Sequence, residues 1–193
     1  IKQVVEVMSD YDKYPTLLKH LKDFDTREDR ILIFVETKKG ADALTQSLRD
    51  ERFYVGCIHG DKSQQDRDKT LQNFRTGRCS ILVATDVAAR GLDIKNVKAV
   101  FNFDMPKGVE DYVHRIGRSG RAGATGYAVS FFTQGNSAIA RDLVKIMKEA
   151  DQAVPPELES MGRRGGGKKW NPYARNGGGR GGGGYRNDGG RRW

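Results

Sequence analysis

The chain has 193 residues, 37% hydrophobic and 31% charged, with a formal net charge of +9. That length suits one domain of roughly 100–200 residues with an appendage, and no run approaches the ~20 apolar residues of a membrane-spanning helix. The charge is uneven: residues 162–193 carry seven Arg, two Lys and one Asp, net +8, which leaves 25 basic and 24 acidic residues, net +1, in residues 1–161. A near-neutral body with a basic tail favours polyanions, nucleic acid before a membrane surface.

In chain order, residues 4–8 read as a short strand. Residues 14–24 read as a helix, with Leu17, Leu18, Leu21 and Phe24 at helical spacing. Residues 31–35 form an almost continuous apolar run, the mark of a strand buried on both faces. A helix is predicted over 40–51, with Ala41, Leu44 and Leu48 inward, then a strand over 55–58. Ser63 is placed to cap the next helix, with Asp66 three residues on and Gly77 at its end. Strands over 81–84 and 97–103 follow, then a helix over 109–116, a strand over 128–132 and a helix over 136–150. Strands alternating with helices of this length predict an α/β fold with a mostly parallel sheet and helices on both faces.

Pro155-Pro156 closes the periodic region. Beyond it, Gly fills 13 of the 32 positions in residues 162–193, a composition that cannot bury enough apolar surface to offset the entropy of ordering. The expected division is a folded domain over 1–156 and a disordered basic tail over 157–193. Arg164 and Arg180 each open an Arg-Gly-Gly unit, and Trp170 and Tyr185 are interleaved. Arginine for phosphates, aromatics for base stacking and glycine for pliancy make this tail an expected RNA binder.

Cys57 and Cys79 each lie in an apolar run and read as buried free thiols; with only three histidines beside them, no zinc spacing appears and no metal ligand is expected. His59 reads as a loop residue, and His20 lies on a helix face with no visible partner. Phe34 reads as core. The chain opens in an apolar strand without methionine, as an excised piece would. No signal peptide is visible; nucleus or cytoplasm, both reducing, is the expected compartment.

Polar motifs gather where the predicted strands end: Glu36-Thr37-Lys38, His59-Gly60-Asp61 and Thr85-Asp86. In parallel sheets, ligands sit at strand carboxyl ends. Further on, Arg118 and Arg121 lie three apart, flanked by Gly117, Gly120 and Gly123. Two permanent cations beside pliable backbone suit a triphosphate, yet no Gly-x-x-x-x-Gly-Lys-[Ser/Thr] phosphate loop occurs in the chain.

Four ordered segments carry a resemblance: Ile-Phe-Val-Glu-Thr-Lys at 33–38, His-Gly-Asp-Lys-Ser-Gln-Gln-Asp-Arg at 59–67, Ala-Thr-Asp-Val-Ala-Ala-Arg-Gly-Leu-Asp at 84–93, and His-Arg-Ile-Gly-Arg-Ser-Gly-Arg at 114–121. Together, over roughly residues 1–156, they resemble the second RecA-like lobe of DEAD-box ATP-dependent RNA helicases, and the tail resembles that of the family's RGG-bearing branch. The resemblance implies that Arg118 and Arg121 are arginine fingers for ATP held on a first lobe. It implies that Arg90, Gly91 and Asp93 meet the nucleotide, with Asp93 at the ribose hydroxyl, and that His114 couples the ATP and RNA surfaces. It assigns Thr37, Gly60, Gln64, Arg67, Thr85 and Asp86 to the RNA backbone. Magnesium would be held mainly through the first lobe, which also carries the phosphate loop. Expected partners are RNA and that lobe, with no membrane and a monomeric state; the piece alone is expected to lack ATPase. Alternatives are an RNA-docking or annealing module dominated by the tail, and a lobe of a DNA-directed motor. The His-Gly-Asp and Ala-Thr-Asp segments argue against the latter.

Overall fold

Six strands form one fully parallel sheet in the computed structural model, which describes residues 1–120 and 123–165. They are β1 (Lys2–Val7), β2 (Ile31–Phe34), β3 (Val55–Ile58), β4 (Ile81–Ala84), β5 (Ala99–Asn102) and β6 (Tyr127–Phe132), in the order β1-β6-β5-β2-β4-β3. The helices are α1 (Asp10–Leu21), α2 (Lys38–Asp50), α3 (Gln64–Thr76), α4 (Asp86–Ala89), α5 (Val109–Ile116), α6 (Ala140–Glu149) and α7 (Pro156–Arg164), with a 3₁₀ helix over Gln134–Ile139 before α6. No described helix is long and apolar enough to cross a membrane.

Strand residues alternate between two faces, and both are covered. Ile31 and Ile33 of β2 point into a core shared with Leu17 and Leu21 of α1 and Ala41, Leu44 and Leu48 of α2. Leu32 and Phe34 point the other way, onto Leu71 and Phe74 of α3 and Ala88 and Ala89 of α4. Beside that second cluster, Tyr112 and Ile116 of α5, Leu143 and Met147 of α6, and Leu158 and Met161 of α7 pack on Val5, Ala128 and Phe132. With both faces buried, the strands need continuous apolar runs, as in Ile81–Ala84. Cys57 and Cys79 are buried and free, and Phe34 is core, as the sequence suggests.

Several expectations need correction. The tail does not begin at residue 157: α7 is helical to Arg164. Pro156 occupies the first helical turn, where a missing N–H costs nothing. Glu157 and Glu159 in the first turn and Arg163 and Arg164 in the last suit the helix dipole, and Leu158 and Met161, three apart, bury one stripe on α6. Arg164 is thus the exposed end of a docked helix, while Arg180, Trp170 and Tyr185 lie outside the described residues. The helix expected over 136–150 comes in two parts: a 3₁₀ helix that starts at Gln134, where the Asn136 side chain accepts the Thr133 N–H at 2.8 Å, and then α6 from Ala140. His20 does have a partner: its Nε2 lies 2.5 Å from Glu6 Oε1, with the ring near Phe101 and Phe131. His59 is a loop residue, just beyond β3, as expected, though buried at 3% exposure.

Candidate functional site

Thr37, Gly60 and Thr85 follow β2, β3 and β4, which are neighbours in the sheet, so the fold brings all three to one edge. Each position has a local cause. Thr37 caps α2, its hydroxyl accepting the Gly40 N–H at 3.0 Å. Ser63 caps α3 through the Asp66 N–H at 3.1 Å, and Gln64 donates to Asp68 one turn on. Arg67 folds back over the loop between β3 and α3: its Nε donates to the Lys62 carbonyl at 3.2 Å and its Nη2 to that of Gly60 at 3.4 Å. Lys38 Nζ reaches Asp61 at 2.8 Å, tying the start of α2 to the same loop. Gly60, Gln64 and Thr37 are exposed, whereas Thr85 is buried to 6% exposure.

The arginine motif lies at the opposite end of the sheet. Ser119 bridges Val97, just before β5. The Val97 N–H donates to the Arg118 carbonyl at 3.2 Å and the Gly120 N–H donates to the Val97 carbonyl at 2.9 Å. Gly126 backs this segment: a Cβ there would lie 2.4 Å from the Gly120 nitrogen. Held this way, Arg118 lays its guanidinium along residues 89–94, donating to the carbonyls of Ala89, Leu92 and Ile94 at 3.4, 3.3 and 3.2 Å. Gly91 turns that loop at φ 77°, a conformation that favours glycine. No Arg90–Asp93 ion pair forms. Arg90 faces the half-buried Asp111 at 3.7 Å, and Asp93 faces Lys95 at 3.1 Å on exposed surface. His114 is exposed on α5, and Arg121 lies outside the described residues.

Between the two ends stands a residue that sequence reading passed over. Arg115 is 4% exposed. Its Nε donates to Asp86 Oδ1 at 2.7 Å, its Nη2 to Asp86 Oδ2, and its Nη1 to Asn102 Oδ1 at 3.0 Å and to the Asp104 carbonyl at 2.7 Å. The guanidinium also lies 4.8 Å above the Phe34 ring, within cation–π range. Both Asp86 oxygens are therefore engaged, so that carboxylate anchors α5 instead of facing solvent freely. Asp104 extends the brace. Its Oδ2 accepts the Glu36 N–H at 2.9 Å and its Oδ1 accepts from Lys13 Nζ at 2.8 Å. Burial works against the charge of Lys13, but its bonds to Asp104 and Asp10 outweigh burial and hold its pKa above the ordinary lysine value. The signal for Arg115 was present: Tyr112, Arg115 and Ile116 share the buried stripe of α5.

Residues 12–123 match the helicase conserved C-terminal domain model. The ATP-dependent RNA helicase DBP2 of Scheffersomyces stipitis is 55% identical over 165 residues, covering 85% of this chain and 31% of that protein. DEAD-box ATP-dependent RNA helicase 20 of Arabidopsis thaliana is 54% identical over 163 residues, covering 84% and 32%. The chain thus spans about a third of the length of these relatives. Among solved structures, the yeast DEAD-box splicing factor Prp28 superposes with a TM-score of 0.77 at 37% identity, over 90% of this chain and 39% of that one. The C-terminal domain of the DEAD-box protein Dbp5 gives 0.68 at 34%, over 85% and 97%. A parallel sheet with its polar motifs on adjoining strand ends, a clasped arginine segment and these likenesses agree: the chain belongs to the helicase C-terminal domain family, as a RecA-like lobe of the DEAD-box type.

Proposed function

We propose that this chain is the second lobe of an ATP-dependent RNA helicase. Arg118 and Arg121 are its catalytic residues, directed at the γ-phosphate of ATP held on the first lobe. Arg90, Gly91 and Asp93 meet the nucleotide, with the Asp93 carboxylate accepting from a ribose hydroxyl, and His114 links this face to the RNA. Thr37, Gly60, Gln64, Arg67 and Thr85 grip the RNA backbone, and Asp86 joins them through its main chain, since its carboxylate is engaged by Arg115. Contacts confined to sugar and phosphate carry little sequence preference.

The observation that carries this reading is the clasp of Arg118 on residues 89–94. It makes the finger and the nucleotide-facing loop one unit, so a closing lobe delivers both together. As the terminal phosphoryl group transfers to water, its charge redistributes, and guanidinium forks brought to it stabilise that charge. Such fingers contribute about 10³–10⁵ in rate, or roughly 4–7 kcal/mol. Magnesium neutralises phosphate charge in this chemistry. The exposed groups beside Arg118 are Arg90 and an Asp93 already facing Lys95, which suits phosphate and ribose, so the ion belongs with the first lobe.

The test is RNA-stimulated ATP hydrolysis by the two-lobe protein. Arg118→Ala and Arg121→Ala should each lower turnover by about 10³ or more with RNA and nucleotide binding retained. Unchanged turnover refutes the finger role. The isolated chain should hydrolyse little or no ATP. The net +8 of residues 162–193 favours a second contribution, RNA affinity from the tail. Truncation after Gly165, which spares α7, should leave part of the RNA binding; loss of all of it would make the chain a tail-driven docking module.

A further inference from the structure

Beneath the loop between β3 and α3, three side chains of metal-binding type converge from distant parts of the sequence. Asp42 comes from the first turns of α2, Cys57 from β3 and His59 from just beyond it. Cys57 and His59 are two apart on extended chain, so both side chains leave on the same side. Asp42 Oδ1 lies 2.8 Å from His59 Nε2 and 3.8 Å from Cys57 Sγ, and all three donor atoms fall within 4.8 Å of one another. Cys57 and His59 are 8% and 3% exposed. The cluster opens into a groove of about 380 Å³ between α2 and α3, over the outer edge of β3, lined also by Arg49, Lys62 and Asp66. Neither the RNA edge nor the arginine segment uses these three groups.

We propose that Asp42, Cys57 and His59 form a binding site for a divalent cation of the zinc type, with a fourth position open to the groove for water. The donor set decides the class: thiolate with imidazole selects zinc-like ions and disfavours magnesium and calcium, which take oxygen ligands. The size also fits. Ligand bonds of about 2.0–2.3 Å place tetrahedral donors roughly 3.3–3.7 Å apart. The Asp42–His59 contact therefore opens slightly and the Cys57 sulfur closes in.

Two rearrangements accompany entry of the ion. The Lys62 ammonium, 3.5 Å from Asp42, swings away. The His59 ring also changes tautomer. Its Nδ1 accepts the Asp61 N–H at 3.2 Å, which leaves the ring proton on Nε2, facing Asp42. Ligation through Nε2 gives that lone pair to the ion, moves the ring proton to Nδ1 and turns the Asp61 N–H away. The Cys57 thiol loses its proton to solvent. One proton is released per ion bound and nothing is oxidised. The cation thus moves the loop that carries Gly60 and the carbonyls on which Arg67 rests.

Cobalt(II) titrated into the reduced protein tests the site directly. The expected result is thiolate-to-cobalt absorption in the near ultraviolet with visible bands of a four-coordinate ion, saturating at one equivalent and bleached by zinc. Cys57→Ala should abolish these bands and Cys79→Ala should keep them. Asp42→Asn, at a half-exposed position, should weaken binding at least tenfold, and it decides the matter if Cys57→Ala does not fold. Absence of the absorption, or its survival in Asp42→Asn at undiminished affinity, overturns the proposal. In amide NMR spectra, one equivalent of zinc should shift the Asp61 resonance; a bound ion that leaves it unmoved refutes the coupling to the loop. Both readouts work without RNA, so they stand or fall apart from the helicase reading.

Discussion

Arg115 holds a permanent charge at 4% exposure, and it is tolerable there because Asp86 faces it with both oxygens. The pair is only half enclosed, since Asp86 keeps 35% of its side chain in solvent. Arg115→Met should lower unfolding free energy by about 1–3 kcal/mol, read from urea denaturation, because Asn102 Oδ1 and the Asp104 carbonyl lose their buried donor and Asp86 loses its cation. Arg115→Lys should recover only part of the loss, since an ammonium cannot span Asp86, Asn102 and the Asp104 carbonyl as a planar fork does. Equal stability of both variants with the parent would show that the pair contributes nothing. At this scale the sequence was half readable. Arg118 and Arg121 stood out by motif, whereas Arg115 was one arginine among three until the helix periodicity placed it inward. Asp42, Cys57 and His59 meet only through tertiary structure, and no spacing along the chain announces them.

Elements were readable where their pattern was long enough to express a period. The bounds expected for β3, β4 and α5 are those observed, because continuous apolar runs and a strong helical stripe leave little choice. The four-residue α4 escaped because it is too short to show periodicity. Helix α7 escaped because Pro155-Pro156 and the glycine that follows mask its Leu158–Met161 stripe. That helix approaches α6 closely at one point: a Cβ on Gly162 would lie 3.3 Å from Arg141 Cα, backbone that cannot rotate aside. Gly162→Val should push the two helices apart and cost about 1–3 kcal/mol, seen as a lowered melting temperature with α7 amides losing protection first. An unchanged melting temperature would mean that α7 contributes no packing energy.

At the scale of the whole molecule, alternation of strands and helices predicted the parallel sheet and put the motifs of Thr37, Gly60 and Thr85 at its carboxyl end, but not Arg118 at the other. Thr37, Thr85 and Gly60 follow β2, β4 and β3 at their carboxyl ends, whereas Arg118 sits level with Val97, before β5, at the amino end. The route between them is α5, seated through Arg115 on Asp86. That seating has a consequence for the order of assembly. A guanidinium cannot shed its charge, so docking α5 before Asp86 is in place would bury Arg115 unpaired against the gain from Tyr112 and Ile116, and Asp86 lacks its cation until α5 arrives. The two segments, 29 residues apart at the pair itself, should fold and open as one cooperative unit, a foldon in hydrogen-exchange terms. Amides of α4 and α5 should share a single opening free energy in native-state exchange and separate into two in Arg115→Met; two distinct values in the parent would break the link. Opening of either segment would then disconnect the sheet's two ends together, and the lobe would lose both halves of the chemistry proposed for it in one event.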